Sequence, residues 1–458
     1  MFVATMNFWV FIEEKSLNTY KRDIKATFLN QIVKVLAGPT LLLFIPLYLN
    51  SIEQGYWYTF TSLAALSIFA DLGFTNIVLQ FAAHEFAFLS FDKNGIIIGD
   101  ENKIVRLASF FLFSLKWLKK IIILAFPVII SGGYIFLLNK ETDVEWKEAW
   151  LIYSFASALV FSNSVVLSFF EGCNSVRKVQ YIRLVICLLT SFSTIVGLYL
   201  NLNLYALSLS LVVSGLTGVF LNYYYFNRPI KQLIILSSKC KYDWKPQFMA
   251  LIWRYGISWC SGYLIFQLFT PLSFKYYGAD FAGKVGISIA MWTAGFSIAS
   301  SWITAILPKI NMLIEERRWN ELDRLFNKNH YKSIITMLIG GSIFITTYYI
   351  FDKQFVIFNR IVDLKSMCIL FLCWMLQLII NNIAIYLRAH KKEPMMMVSL
   401  VSAFYVSIST YLCAMFLPKE YLFLGFLTSY IYGIPFSIYL LKLERKNHVN
   451  TKGVLIND

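Results

Sequence analysis

The chain has little charge. Asp, Glu, Lys and Arg make up 15% of its 458 residues, against about 25% in an average soluble domain. Hydrophobic residues make up 58%, and mean hydropathy is +0.61. Too little polar surface is left to cover a fold in water. The residues of metal and redox chemistry are also scattered. His84, His330, His390 and His448 lie far apart, and the seven cysteines (Cys173, Cys187, Cys240, Cys260, Cys368, Cys373 and Cys413) form no Cys-x-x-Cys pair. That spacing excludes a sequence-local metal motif and a disulfide framework, and the cysteines read as small buried hydrophobes. A nucleophile elbow, a phosphate-binding loop and a paired-carboxylate motif are missing too. The chain is therefore not expected to be an enzyme, to hydrolyse ATP, or to hold a cofactor or metal. Residues 2–12 are apolar but short, lack a basic leader and run into Glu13-Glu14-Lys15, which is not the pattern of a cleaved signal peptide.

What is present is long apolar runs. A helix needs about 20 apolar residues to cross the hydrocarbon core of a bilayer. Such runs occur at 28–49, 56–81, 118–138, 150–170, 182–200, 204–226, 255–274, 285–307, 334–351, 367–387, 395–417 and 421–441. They are continuous rather than alternating, which excludes barrel strands. The reading is an all-α polytopic membrane protein with about twelve transmembrane helices.

The basic residues orient it. With the N-terminus in the cytoplasm, the internal segments hold 32 of the 41 lysines and arginines, the external loops hold 8, and Lys34 lies inside a span. This is the positive-inside pattern, and it places both termini in the cytoplasm. The net charge of +15 thus belongs to the membrane face and suits anionic lipid, not nucleic acid.

The longest polar interval near the middle, 227–254, leaves six spans on each side. The expected organisation is a bundle at 1–226, a cytoplasmic linker at 227–254, a second bundle at 255–441 and a cytoplasmic tail at 442–458. The halves share a rhythm, with a short external loop and then a long basic cytoplasmic segment, so two pseudo-symmetric six-helix bundles are expected. In the second half that segment spaces Ile310, Leu313, Ile314, Leu322, Leu325 and Phe326 helically among charges, as in a helix lying on the membrane surface.

Ionisable groups inside spans are the first functional candidates, because charge in lipid is costly. Lys34 falls about 9 Å, and Asp71 about 15 Å, from the cytoplasmic ends of the first two spans. The two could pair and fix packing, or Lys34 could face a wet cavity and attract an anion. Arg254, at the start of the seventh span, is the second-half analogue of Lys34 or an ordinary interfacial anchor. Pro39 and Pro46 in the first span and Pro271 in the seventh are candidate kinks for a gate. Gln80, Gln267, Asn222, Gln377, Asn381 and Asn382 could bind sugar hydroxyls or join helices. Trp259, Trp292 and Trp302 could stack on sugars or pack on lipid.

Four stretches carry a resemblance: EQGYWYTFTSLAALSIFADLGFTNIVLQFAAHEFA, in which Asp71, Leu72 and Gly73 form a central motif; YYGADFAGKVGISIAMWTA; LPKINMLIEERRWNELDRLFNK; and NNIAIYLRAHKKEP. In this order and spacing the chain resembles the polysaccharide transporters of the multidrug/oligosaccharidyl-lipid/polysaccharide exporter superfamily, and among them the O-antigen flippases. The resemblance covers nearly the whole chain. It departs from the family around Leu268-Phe269-Thr270-Pro271, where members often carry an acidic or polar residue.

The resemblance implies alternating access that flips an undecaprenyl-diphosphate-linked oligosaccharide across a bacterial inner membrane. Membrane lipids, and a glycan polymerase with its chain-length machinery, would be the partners. Lys34 and Arg254 would attract the diphosphate. The rival within the same superfamily is an ion-coupled drug exporter, which would need carboxylates deep in the cavity; apart from Asp71 the spans carry almost none. A glycan polymerase would need a large external loop, and no external loop exceeds about 15 residues by the hydropathy reading.

Overall fold

The computed structural model describes residues 26–27, 29–31, 33, 36–138, 144–237, 242–351, 354–390 and 395–454. Among these, ten helices are long and apolar enough to cross a membrane, or eleven when a bent pair is counted as one span. In chain order the helices are α1 (Leu29–Tyr48), α2 (Ser51–Ala64), α3 (Ser67–Asp71), α4 (Phe74–Phe86), α5 (Glu101–Leu138), α6 (Lys147–Gly172), α7 (Val176–Tyr199) and α8 (Leu204–Leu236). They continue with α9 (Lys245–Phe266), α10 (Phe269–Tyr277), α11 (Ala279–Thr304), α12 (Leu307–Glu315), α13 (Trp319–Phe351), α14 (Val356–Asn359), α15 (Leu364–Ala389), α16 (Met396–Phe416) and α17 (Leu424–Val454). Each expected span has a helical counterpart. The seventh is α9 with α10, a broken pair outside the count of ten or eleven. The molecule is a multi-pass membrane protein.

Its surface is consistent with lipid as the solvent. Phe220, Tyr224, Ile339, Ile343, Phe404 and Ile431 are among the large apolar side chains left open, a distribution that water would penalise. Several helices outrun the bilayer. The 38 residues of α5 span about 57 Å at 1.5 Å per residue, against a hydrocarbon core of about 30 Å.

The chain forms two compact units. The first draws on Met1–Leu41 and Ser67–Gly256, the second on Leu42–Leu66 and Ile257–Asp458. In the first, α4 packs on α6, and α5, α6 and α7 all pack on α8. Its core is aromatic, with Phe170 stacked on Phe226 at 4.0 Å and Phe110 against Trp244 at 5.0 Å. In the second, α2 and α10 pack on α11, α11 on α13 and α15, and α15 and α16 on α17. The segment Leu42–Leu66, which falls within 1–226 of the sequence division, is part of this second unit.

Helix α2 sits on α11 because both lack side chains where they meet. A Cβ at Gly55 would lie 1.9 Å from the Ala279 carbonyl oxygen, and one at Gly283 2.8 Å from the Gly55 nitrogen. Small residues let backbones approach in this way. At its start α2 has a capping box: Asn50 accepts from the Glu53 N–H, and the Glu53 carboxylate accepts from the Asn50 N–H.

One basic segment adds a hairpin, and another folds differently from the sequence reading. In the first half, β1 (Ser90–Phe91) and β2 (Ile97–Ile98) form an antiparallel hairpin. Its turn uses Gly95 at φ 79°, and Asn-Gly is a strong local turn signal. The Gln232 side chain completes the hairpin edge, accepting from the Ile97 N–H and donating to the Ile97 carbonyl, both at 2.8 Å. In the second half the surface helix is a correction. Arg317 at φ 55° turns the chain between α12 and α13. Ile310, Leu313, Leu322 and Phe326 are then buried with Ile383, Tyr386 and Leu387, so this apolar face packs against α15 rather than lipid.

Candidate functional site

Among the described residues, two of the expected spans are interrupted, each for a local reason. In the second span Leu72 and Gly73 both have left-handed backbone, at φ 48° and 75°, and the pair Ser51–Asp71 and Phe74–Phe86 bends by 44°. The break exposes the first N–H groups of α4, which have no partner within the helix. Asp71 supplies one: its carboxylate accepts from the Thr75 N–H and from the Thr75 hydroxyl, both at 3.1 Å. An anion at a helix N-terminus is also favoured by the helix dipole. Asp71 thus holds the break in shape. Replacing it with alanine is expected to lower stability by about 1 kcal/mol, the usual worth of such a cap, with asparagine retaining most of it. Thermal melting in detergent measures both.

The seventh span breaks at Gln267-Leu268, between α9 and α10. Pro271 has no N–H to give the Gln267 carbonyl four residues back, and the Leu272 N–H resumes the ladder on Leu268 at 3.2 Å. The Gln267 side chain accepts a long bond, 3.4 Å, from Ser62 on α2. Pro39 and Pro46 do not produce such a break, since α1 remains helical through both.

The other sequence candidates divide. Lys34 lies outside the described residues. Arg254 lies on α9, with its side chain outside them. Gln80 is exposed on α4. The buried and half-buried amides join helices. Asn222 donates to Asn163 at 3.2 Å, Asn382 to Ser333 at 3.1 Å, and Gln377 accepts from Tyr430 at 3.1 Å. Asn30, Gln180, Glu171 and Arg183 form a further chain across α1, α6 and α7, closed by a 2.7 Å Arg183–Glu171 ion pair. Trp292 is buried, whereas Trp259 and Trp302 are exposed.

Sequence reasoning missed one candidate. A pocket of about 470 Å³ lies along α5 in the first unit, lined by Phe113, Lys116, Trp117, Lys119, Lys120, Ile123 and Leu124. These residues recur at three- and four-residue spacing, the periodicity of one helix face. The three lysines are exposed, and no carboxylate pairs with them among the described residues. Lys120 lies 5.8 Å from the Trp117 ring centroid. The pocket wall is tied to the helix break. Trp117 and Phe113 pack on Phe248 of α9 at 5.0 and 5.3 Å, and Phe248 packs at 5.6 Å on Phe74, the first residue of α4. Gly256, further along α9, abuts Leu72, where an added Cβ would come within 2.9 Å. A groove on α5 with an almost wholly apolar wall, fringed by three exposed lysines, thus stands beside the bent helix pair. The exposed lysine ends at its edge suit an oxyanion, and its apolar wall suits a ring or hydrocarbon face. The signal in the sequence is the run KWLKK, whose lysines count among the internal basic residues because the apolar run opens at residue 118.

No protein-family model matches the sequence, and no curated protein is similar to it. Solved structures are similar. The lipid II flippase MurJ in an inward closed conformation superposes with a TM-score of 0.62 at 14% identity, over 92% of this chain and 87% of that one. An inward-facing multidrug resistance MATE family transporter of the MOP superfamily gives 0.55 at 12%, over 94% and 95%. A MOP superfamily transporter from Pyrococcus furiosus, whose structure is described by a binding pocket of reversed polarity, gives 0.53 at 12%, over 94% and 96%. With both the broken spans and the two helical units in view, the chain has the fold that MurJ shares with the MATE transporters of the MOP superfamily.

Proposed function

We propose that this protein is a transporter that flips an anionic, lipid-linked oligosaccharide across the inner membrane of a bacterium, with O-antigen or a similar repeat unit on undecaprenyl diphosphate as the cargo. The observation that carries this reading is the α5 pocket, where three lysines without carboxylate partners among the described residues stand beside Trp117 and Phe113. A diphosphate cannot cross hydrocarbon unaided, because burying its charge is prohibitive. On this reading the exposed lysine ends at the groove's edge replace its hydration, Trp117 and Phe113 take a sugar face, and the tail remains in lipid. In this reading the substrate loads from the cytoplasm, with both termini on that side, and one headgroup site is exposed to each face in turn. Lys34, Arg254, Gln80 and Gln267 remain candidate contacts along its path, and Pro39, Pro46 and Pro271 candidate flexing points. A glycan polymerase and its chain-length machinery would take the product.

The drug-exporter alternative suits the α5 pocket less well. An organic cation would be repelled by three like charges at close range, and the described spans offer little carboxylate to offset them.

The test is transport of a defined undecaprenyl-diphosphate-linked oligosaccharide in reconstituted vesicles, read by accessibility of the sugar to an external lectin. Protein-dependent movement that free sugar does not inhibit is the expected result. Transport of an organic cation with no movement of the glycolipid would overturn the proposal.

A further inference from the structure

A second groove lies in the other unit, between α11 and α13. It has a volume of about 260 Å³ and is lined by Trp292, Gly295, Ile298, Thr336, Met337 and Gly340, among others. Its floor is firm: Trp292 stacks on Phe371 at 5.1 Å and meets Phe344 edge-on at 5.7 Å, and its indole N–H donates to the Met367 sulfur at 2.9 Å. Its mouth is open. A Cβ built at Gly340 meets nothing within 4 Å, and one at Gly295 meets only the Met337 sulfur, at 3.9 Å. In a membrane, such an apolar slot takes a hydrocarbon chain.

The two ends differ, and the difference selects the chain. At one end Trp302 donates its indole N–H to Thr336 at 2.9 Å, and the Lys332 ammonium stands 4.8 Å from the Trp302 ring centroid. No carboxylate pairs with Lys332 among the described residues, and Lys328 is exposed one turn before it. The far end, at Met291 and Phe344, is apolar. From Thr336 to Phe344 the groove runs about 12 Å along α13, close to the roughly 15 Å depth of one leaflet. One cation beside an indole, at the end of a slot one leaflet deep, has the polarity and length of a single phospholipid.

We infer that the α11–α13 groove binds one anionic phospholipid of the bilayer, with an acyl chain on the Trp292 floor and its phosphate at Lys332 and Trp302. An undecaprenyl tail is longer than a leaflet is deep, and its diphosphate is better matched by the three lysines on α5. The groove is thus a site for a resident lipid and not for cargo.

The experiment is native mass spectrometry of the purified full chain titrated with phosphatidylglycerol, phosphatidylcholine or undecaprenyl phosphate. Phosphatidylglycerol should bind more tightly than phosphatidylcholine. Lys332→Gln should weaken it about fivefold, in line with one lysine at an anionic lipid surface. Gly340→Leu fills the open mouth and should abolish the tight site, while Lys328→Gln should change affinity less than Lys332→Gln. Gly340→Leu lies where added atoms meet open space, so an unshifted melting curve shows that it folds. Equal affinity for the two phospholipids would overturn the assignment. So would unchanged phosphatidylglycerol binding in both Lys332→Gln and Gly340→Leu, or undecaprenyl phosphate displacing phosphatidylglycerol from the wild type at equal concentration. Lipid binding is read without transport, so it fails or stands separately from the flippase reading.

Discussion

Replacing Lys116, Lys119 and Lys120 together with glutamine should slow glycolipid flipping about 100-fold at low substrate, with the protein still folded. A hydrogen bond to a charged group contributes about 1.5–3 kcal/mol, and exposure at the groove mouth reduces that to about 1 kcal/mol per contact. Three contacts then total about 3 kcal/mol, or about two decades in rate, since 1.4 kcal/mol is a factor of ten. Folding should survive because the side chains are exposed and make no ion pair with a described carboxylate. The triple arginine variant should retain most activity, since guanidinium holds phosphate at least as well as ammonium does. Raising salt should weaken the wild type and leave the glutamine variant almost unaffected. Wild-type flipping by the glutamine variant would remove the α5 groove from the mechanism.

The largest effect on stability should come from a single methyl group. Gly55→Ala places a Cβ 1.9 Å from the carbonyl oxygen of Ala279. That neighbour is backbone and cannot rotate aside, so α2 and α11 must separate. Overpacking typically costs 1–3 kcal/mol; a backbone clash lies at the upper end, about 3 kcal/mol or more. Gly283→Ala meets the Gly55 nitrogen from the other side, and Gly286→Ala meets the Tyr58 Cβ at 2.3 Å, so the three sites test one interface. Gly262→Ala is the control. Nothing lies within 4 Å of its added Cβ, and alanine in a helix should stabilise by about 0.5–1 kcal/mol. Melting midpoints of the four variants in one detergent decide the matter. A Gly55→Ala protein as stable as wild type would mean that α2 does not pack as closely as this.

Much of this architecture was legible because lipid imposes a simple rule. Every backbone polar group in a membrane must find a partner within the protein, so the helices announce themselves as apolar runs. The rule is silent where the chain leaves lipid or breaks a helix. Asp71 reads in sequence as a costly buried charge, and only the left-handed turn at Leu72-Gly73 reveals a cap for Thr75. Pro271 could be read as a kink, but not the Ser62–Gln267 contact beside it. The apolar stripe from Ile310 to Phe326 has the periodicity of a surface helix. Periodicity cannot tell lipid from a neighbouring helix, and the corner at Arg317 chooses the neighbour. Lys116, Lys119 and Lys120 fall among the internal basic residues by hydropathy, which cannot see that α5 begins at Glu101 and carries them along one face.

The attachment of α2 to the second unit also has a consequence for biosynthesis. Its partner α11 begins at Ala279, about 200 residues after α2 ends, and ribosomes add roughly 5–20 residues per second. For some 10–40 s the nascent α2 must wait in the bilayer with Gln54, Thr59 and its glycine notch uncovered. Gln54 finds its acceptors, the carbonyls of Gly283 and Arg360, only after those residues are made. A ribosome stalled before Ala279 would therefore leave a polar, adhesive helix adrift in lipid, a natural substrate for membrane quality control.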